Sequence, residues 1–131
     1  MTFIVNDRVD VAMMSRADGV HLGQADIPLD GARALLGKGA IIGVSTHNPV
    51  EAAHAQKCGA DYISFGPIFP TKTKKDAHDP QGLSRLGEMS RMSALPIVAI
   101  GGITAENVVD IFSHGAAGAA IISGILTATD M

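Results

Sequence analysis

Gly59-Ala60-Asp61-Tyr62-Ile63-Ser64-Phe65, running on into Gly66-Pro67-Ile68-Phe69-Pro70-Thr71-Lys72-Thr73-Lys74-Lys75-Asp76, reads as a helix end, a short buried strand and a polar loop. Gly59 stands where a helix C-terminus needs a left-handed residue. The apolar run from Tyr62 to Phe65 is strand-like. The loop after it holds three lysines, two threonines, two prolines and a glycine. Lysines supply charge, threonines supply hydroxyl donors, and prolines stiffen the loop so that less entropy is lost on binding. That composition suits an anion such as phosphate. A solvated basic loop would look the same, so the choice rests on the rest of the chain.

The same form recurs on either side. Ala17-Asp18-Gly19-Val20-His21-Leu22 and Gly115-Ala116-Ala117-Gly118-Ala119-Ala120-Ile121-Ile122 also lead from small residues into a β-rich run. Further strand-like runs lie at residues 3–5, 40–45 and 96–100. Helical patterns separate them. Asn48-Pro49-Val50-Glu51 reads as an N-cap, a proline at the first helical position and an acid at the third. Thr104 reads as the N-cap of a helix whose apolar face is Val108, Val109, Ile111 and Phe112. Residues 9–14 and 32–36 are weaker helices, and residues 80–94 hold another that starts around Gln81.

Alternating β and α elements with continuous apolar strands call for a parallel sheet covered by helices. An open doubly wound sheet and a (β/α)8 TIM barrel both satisfy this. Polar or glycine residues follow nearly every strand: Asn6-Asp7, Gly23-Gln24-Ala25-Asp26, Ser45-Thr46-His47, the Lys/Thr loop, Gly101-Gly102 and Ser123-Gly124. A barrel collects all such ends at one mouth, whereas an open sheet uses mainly those at a switch point. The barrel is therefore the expected architecture, with residues 1–131 as a single domain.

Composition narrows the function. The 131 residues are 47% hydrophobic, carry a formal charge of −3 and include one cysteine, Cys58. Mean hydropathy is +0.25. No apolar run approaches the roughly 20 residues that span a bilayer, and no secretory signal pattern is visible. A lone cysteine forms no internal disulfide, so a reducing, cytoplasmic setting is expected. With negative charge, no Trp, one Tyr and four Phe, nucleic-acid binding is not expected. His21 reads as a packed core residue rather than a metal ligand. His47 is the histidine better placed for function. Cys58 and the Met13-Met14 pair read as buried.

Asn6-Asp7-Arg8-Val9-Asp10, Gly19-Val20-His21-Leu22-Gly23-Gln24-Ala25-Asp26, Gly43-Val44-Ser45-Thr46-His47, Gly66-Pro67-Ile68-Phe69-Pro70-Thr71-Lys72-Thr73-Lys74, Ala99-Ile100-Gly101-Gly102-Ile103 and Ile122-Ser123 together resemble thiamine-phosphate synthases. Taken singly, Asp7 reads as a helix cap, Asp26 as a turn former, Ser45 as a strand-end hydroxyl and Gly101-Gly102 as a tight turn. Six motifs in series, in the family's order, make the resemblance specific.

The resemblance implies a (β/α)8 barrel transferase of thiamine biosynthesis. Such an enzyme joins 4-amino-2-methyl-5-(diphosphooxymethyl)pyrimidine to a thiazole phosphate, releasing pyrophosphate. It implies Mg2+ as cofactor, held by Asp7 and Asp26. Asn6 and Ser45 would contact the pyrimidine substrate and Lys74 its pyrophosphate, with Ser45 and Lys74 catalytic. Thr71, Lys72, Thr73, Gly102, Ile122 and Ser123 would bind the thiazole phosphate. The related thiazole tautomerase shares the barrel, but its proton shift has no need of a metal-bound pyrophosphate. A third reading is a non-catalytic fragment that binds only ligand or a partner chain.

A complete barrel runs to at least about 200 residues. The resemblance aligns the first strand here with the family's third, so about six βα units, strands 3 to 8, are expected. The family's Gln-Leu-Arg-Glu-Lys segment has no counterpart, and the last helix is expected to be short. Two open sheet edges would favour self-association, and synthase turnover by the 131-residue chain alone is not expected.

Overall fold

The structure, a computed structural model, describes residues 1–72 and 78–126. Strands and helices alternate without exception among these residues: β1 (Ile4–Asn6), α1 (Val9–Ser15), β2 (Gly19–Leu22), α2 (Leu29–Leu36), β3 (Ile41–Thr46), α3 (Pro49–Lys57), β4 (Tyr62–Phe65), α4 (Gly82–Met92), β5 (Ile97–Ile100), α5 (Val108–Ser113), β6 (Gly118–Ala120) and α6 (Ser123–Leu126). The expected six βα units are present. The chain divides into two compact units, Met1–Ile63 and Ser64–Met131, with the division inside β4. Strands neighbour one another in chain order, β1-β2-β3-β4 in the first unit and β4-β5-β6 in the second. The β1–β2, β2–β3 and β5–β6 pairs are parallel.

Three helix-to-strand joints share one construction. A residue in the left-handed region ends the helix: Arg16 (φ 53°), Gly59 (φ 86°) or Gly115 (φ 90°). The alanine after it returns its N–H to the helix, Ala17 to Ala12, Ala60 to Ala55 and Ala116 to Ile111. This is the six-to-one bond that satisfies an orphan carbonyl of the last turn. The next residue starts the sheet: Asp18, Asp61 and Ala117 donate their N–H groups to the carbonyls of Phe3, Ile42 and Ile97. The expected left-handed roles of Gly59 and Gly115 hold.

Each unit has its own core. In the first, Val20, Leu22, Ile42 and Ile63 of the strands and Val9, Ala12, Leu29, Ala32, Ala52 and Ala55 of the helices are buried. The inward alanines let helices approach the sheet closely. Arg33 of α2 donates to the Gly59 carbonyl (3.0 Å) and to Asp61 Oδ2 (2.7 Å), tying α2 to the start of β4. In the second unit, Phe65, Ile68, Leu86, Met89, Ile97, Ala99, Ile103 and Ile111 are buried.

Some local expectations fail. Met13 and Met14 are exposed, at 48% and 86%. The inward face of α1 is Val9 and Ala12, and a helix turns the next two positions outward. Cys58 is exposed because it caps α3 rather than lying within it. Thr104 does not cap α5. Its carbonyl accepts from Val108, but the regular helix starts at Val108 itself, with Asn107 before it. β6 ends at Ala120, so Ile122 lies past the strand and Ser123 opens α6.

The joints predict unequal costs for alanine. At Gly59 a new Cβ meets nothing within 4 Å, so Gly59→Ala carries only the left-handed strain of about 1–2 kcal/mol. At Gly115 a Cβ would fall 2.2 Å from Ser90 Oγ, which donates to the Gly115 carbonyl. Gly115→Ala should therefore lose more stability than Gly59→Ala in urea unfolding. Equal losses would mean that this contact relaxes freely.

Candidate functional site

Asn6 closes β1, and Asp7 follows with φ 64°. Its N–H donates to the His21 carbonyl (2.8 Å), and the Arg8 N–H returns to the Asn6 carbonyl (2.8 Å). Aspartate is among the few residues besides glycine that visit this region, and residues held there concentrate at functional sites. Arg8, not Asp7, occupies the capping position of α1, and the Arg8 side chain makes no cap hydrogen bond. Arg8 turns instead to Asp10, and this hydrogen bond holds the Asp10 carboxyl down to about 2. Both side chains are well exposed, so solvent screens the pair.

Asp26 lies in the turn after β2. Its Oδ2 accepts from the Gly23 N–H (2.7 Å), and its own N–H returns to the Gly23 carbonyl (3.3 Å). The turn-forming role is real, and it fixes where this half-buried carboxylate stands. Gln24 of the same turn donates to the Ser45 carbonyl, joining the turn after β2 to the end of β3.

Ser45 is one end of a hydrogen-bonded row. Its Oγ lies 2.9 Å from His21 Nε2, and His21 Nδ1 lies 2.9 Å from the Tyr62 hydroxyl. These groups come from three strands, β3, β2 and β4. His21 is in register with Gly43, and a Cβ on Gly43 would fall 2.1 Å from the Tyr62 ring. The missing side chain is what lets the ring cross β3 and reach His21. Burial raises the Tyr62 hydroxyl above its ordinary value.

His21 is partly buried rather than fully packed in the core, and it is bonded to the candidate site residue Ser45. Tyr62 was legible only as a strand residue. A glycine inside a strand pattern is the available signal, since it marks close approach by something else. His47 donates its N–H to Glu51 Oε2 (2.8 Å), and its Nδ1 lies 3.1 Å from the same oxygen. Asn48 Oδ1 accepts from the Glu51 N–H (2.9 Å), with Pro49 at the first helical position, as expected. His21 reaches Ser45.

The second unit builds a different surface, chiefly from backbone. The loop after β4 lies against the turn after β5. Ile68 and Phe69 donate their N–H groups to the carbonyls of Ile100 (2.9 Å) and Gly101 (3.1 Å). Gly101 (φ 97°) and Gly102 (φ 64°) need glycine for conformation and for space. A Cβ on Gly102 would fall 2.6 Å from the Pro70 carbonyl oxygen and 2.7 Å from Phe69 Cβ. Asn107 closes this turn, donating to the Gly102 carbonyl (3.0 Å) and accepting from the Thr104 N–H (2.9 Å). Thr71 is half-buried and Lys72 exposed. Thr73 and Lys74 lie outside the described residues. Ile122 and Ser123 are exposed, and a Cβ on Gly124 would fall 2.8 Å from the Ile103 carbonyl oxygen. The start of α6 therefore lies beside the Gly102–Ile103 turn.

Among the described residues no group of three or more His, Cys, Asp or Glu is placed to hold a metal ion. Two carboxylates after successive strands, Asp7 and Asp26, still suit Mg2+, which is bound through one or two carboxylates with water and phosphate oxygens completing its shell.

The family model described as thiamine monophosphate synthase matches residues 1–125. A thiamine-phosphate synthase of Lawsonia intracellularis is 51% identical over 129 residues, covering 98% of this chain and 59% of that protein. Another, of Pelotomaculum thermopropionicum, is 52% identical over 131 residues, covering 100% of this chain and 60% of that protein. The solved thiamine phosphate pyrophosphorylase of Pyrococcus furiosus superposes with a TM-score of 0.89 at 41% identity, over 98% of this chain and 61% of that one. The chain thus spans about 60% of the length of these relatives.

Tyr62 is the only tyrosine and there is no tryptophan, so its titration is read directly. Its tyrosinate absorbance should rise with a midpoint above the free value of 10.0. A hydroxyl raised on folding stabilises fully below its unfolded pKa, and that stability is lost as pH rises through the folded value. Urea midpoints should therefore fall on crossing this range, and fall less in Tyr62→Phe. A midpoint at the free value would place the hydroxyl in open solvent.

Proposed function

Because the chain belongs to the thiamine monophosphate synthase family, we propose that it serves that enzyme's reaction, the union of the pyrimidine pyrophosphate with thiazole phosphate to give thiamine phosphate and pyrophosphate. The observation that carries this reading is the pair of carboxylates, Asp7 and Asp26, that follow the successive strands β1 and β2. In this reading the six strands correspond to strands 3 to 8 of a (β/α)8 barrel. The single family match across both units supports one partial domain over residues 1–131.

The bond between the pyrimidine methylene and oxygen breaks with its electron pair leaving on pyrophosphate. The thiazole nitrogen then supplies a lone pair for the new C–N bond. Such a step needs charge neutralised on the leaving group more than it needs a general base. Asp7 and Asp26 would hold Mg2+, which supplies neutralisation of the pyrophosphate charge when bound. Asn6 and Ser45 hold the pyrimidine substrate at the ends of β1 and β3, and Lys74 adds positive charge to its pyrophosphate. Thr71, Lys72, Thr73, Gly102, Ile122 and Ser123 take the thiazole phosphate through hydroxyl, ammonium and backbone N–H donors. The relatives' names and the pair of metal-suited carboxylates favour the synthase over the tautomerase.

Calorimetry with each substrate tests this assignment. Asp7→Asn and Asp26→Asn should each weaken magnesium-dependent binding of the pyrimidine pyrophosphate, leaving thiazole phosphate binding nearly unchanged. Asparagine tolerates the left-handed backbone at position 7 and keeps an acceptor for Gly23 at position 26, so the effect reads charge. Gly102→Ala should do the reverse, since its Cβ would push the Phe69–Pro70 loop from the turn, with a loss of at least the roughly 1.5–3 kcal/mol of one hydrogen bond to a charged group. If the parent binds neither substrate, or magnesium titrations of both aspartate variants match the parent, the assignment fails.

A further inference from the structure

We propose that Tyr62 and His21 are positioning residues that fix the direction in which the Ser45 hydroxyl donates. The row Tyr62 hydroxyl, His21 Nδ1, His21 Nε2, Ser45 Oγ has two links of 2.9 Å each. A neutral imidazole has one N–H and one bare nitrogen, so the row can run in either of two directions. Tyr62 decides between them. A phenol hydroxyl is a better donor than acceptor, and a bare imidazole nitrogen is a strong neutral acceptor, so across the 2.9 Å link the hydroxyl donates. Nδ1 is then the acceptor, and the proton stands on Nε2. His21 donates to Ser45 Oγ, and the Ser45 O–H is turned away from His21 to donate elsewhere. A serine fixed as a donor matches a ligand acceptor atom such as a phosphate oxygen or a ring nitrogen.

The sheet is built to allow the row. Gly43 is in register with His21, and any side chain there would occupy the space of the Tyr62 ring. The His21 and Tyr62 rings are tilted by 31° with centroids 5.4 Å apart, and the hydroxyl meets Nδ1 at 2.9 Å. The row and its direction do not depend on the synthase reading. Only the identity of what Ser45 donates to, the pyrimidine pyrophosphate, rests on the synthase reading.

Nitrogen-15 NMR of labelled histidine in the full chain tests the direction without any substrate. His21 should be the Nε2–H tautomer in the parent. Tyr62→Phe removes the donor to Nδ1 and should shift the ring toward a mixture, and Gly43→Ala should do the same by displacing the ring. A parent in the Nδ1–H form overturns the proposal, and so does an unchanged tautomer ratio in Tyr62→Phe. Calorimetry then reads the consequence. Tyr62→Phe should weaken magnesium-dependent binding of the pyrimidine pyrophosphate roughly fivefold, and should cause no further loss in a Ser45→Ala background. Additive losses would show that Tyr62 acts other than through Ser45. If the parent does not bind that substrate, the synthase reading falls, and the tautomer measurement still decides the row.

Discussion

Two aspartates set the register on which the first unit depends. Asp18 donates its N–H to the Phe3 carbonyl while its Oδ2 accepts from the Phe3 N–H (2.7 Å). Asp61 does the same with Ile42, donating to its carbonyl and accepting its N–H (2.8 Å). Each aspartate thus makes both halves of a strand-like pair before its own strand begins. A one-residue slip in a sheet would turn every side chain to the opposite face. With Asp18 fixed on Phe3, Ile4 falls beside Gly19 and Asn6 beside His21. With Asp61 fixed on Ile42, Tyr62 follows at the level of Gly43. The joint from β5 to β6 has Ala117 in this place and makes only the backbone half of the pair.

On the proposed reading the two units meet their chemical demands with different material. In the first, side chains do the work: Asp7, Asp26, Ser45, His21 and Tyr62 each present a particular functional group. In the second, conformation does it: a loop with two prolines lies on two glycines whose Cβ positions are filled by that loop. An aromatic ring with distinct edges is told apart by placed donors and acceptors. A phosphate presents equivalent oxygens, and backbone N–H groups that approach closely can serve it. Glycine at position 102 is a requirement of the turn, and on that reading of the approach as well.

Much of this was legible in the sequence. The alternation of elements, the left-handed glycines at 59 and 115, the Asn48-Pro49 helix start and the glycine pair at 101–102 all follow from local rules about φ, capping and hydrophobic runs. The misreadings have a common cause. Met13 and Met14 are apolar, but which helix face turns inward is set by the sheet beneath it. Thr104 has the right chemistry for a cap, but Asn107 binds the Gly102 carbonyl and the Thr104 N–H together, and the regular helix starts after it. Local composition gives the type of an element more reliably than its phase.

The same distinction separates the site residues that could be read from those that could not. A side chain that touches a ligand needs a given chemistry at a strand end, and that need leaves a motif. A side chain that acts through another needs only a partner across the sheet. His21 and Tyr62 stand 41 positions apart in the chain, and nothing in either one's neighbours names the other. What joins them is the register held by Asp18 and Asp61 and the empty Cβ of Gly43, which become visible together only when the strands are laid side by side. Gly43 is the residue that sequence could have flagged, because a glycine amid β-branched neighbours loses packing and gains nothing unless another group uses its space.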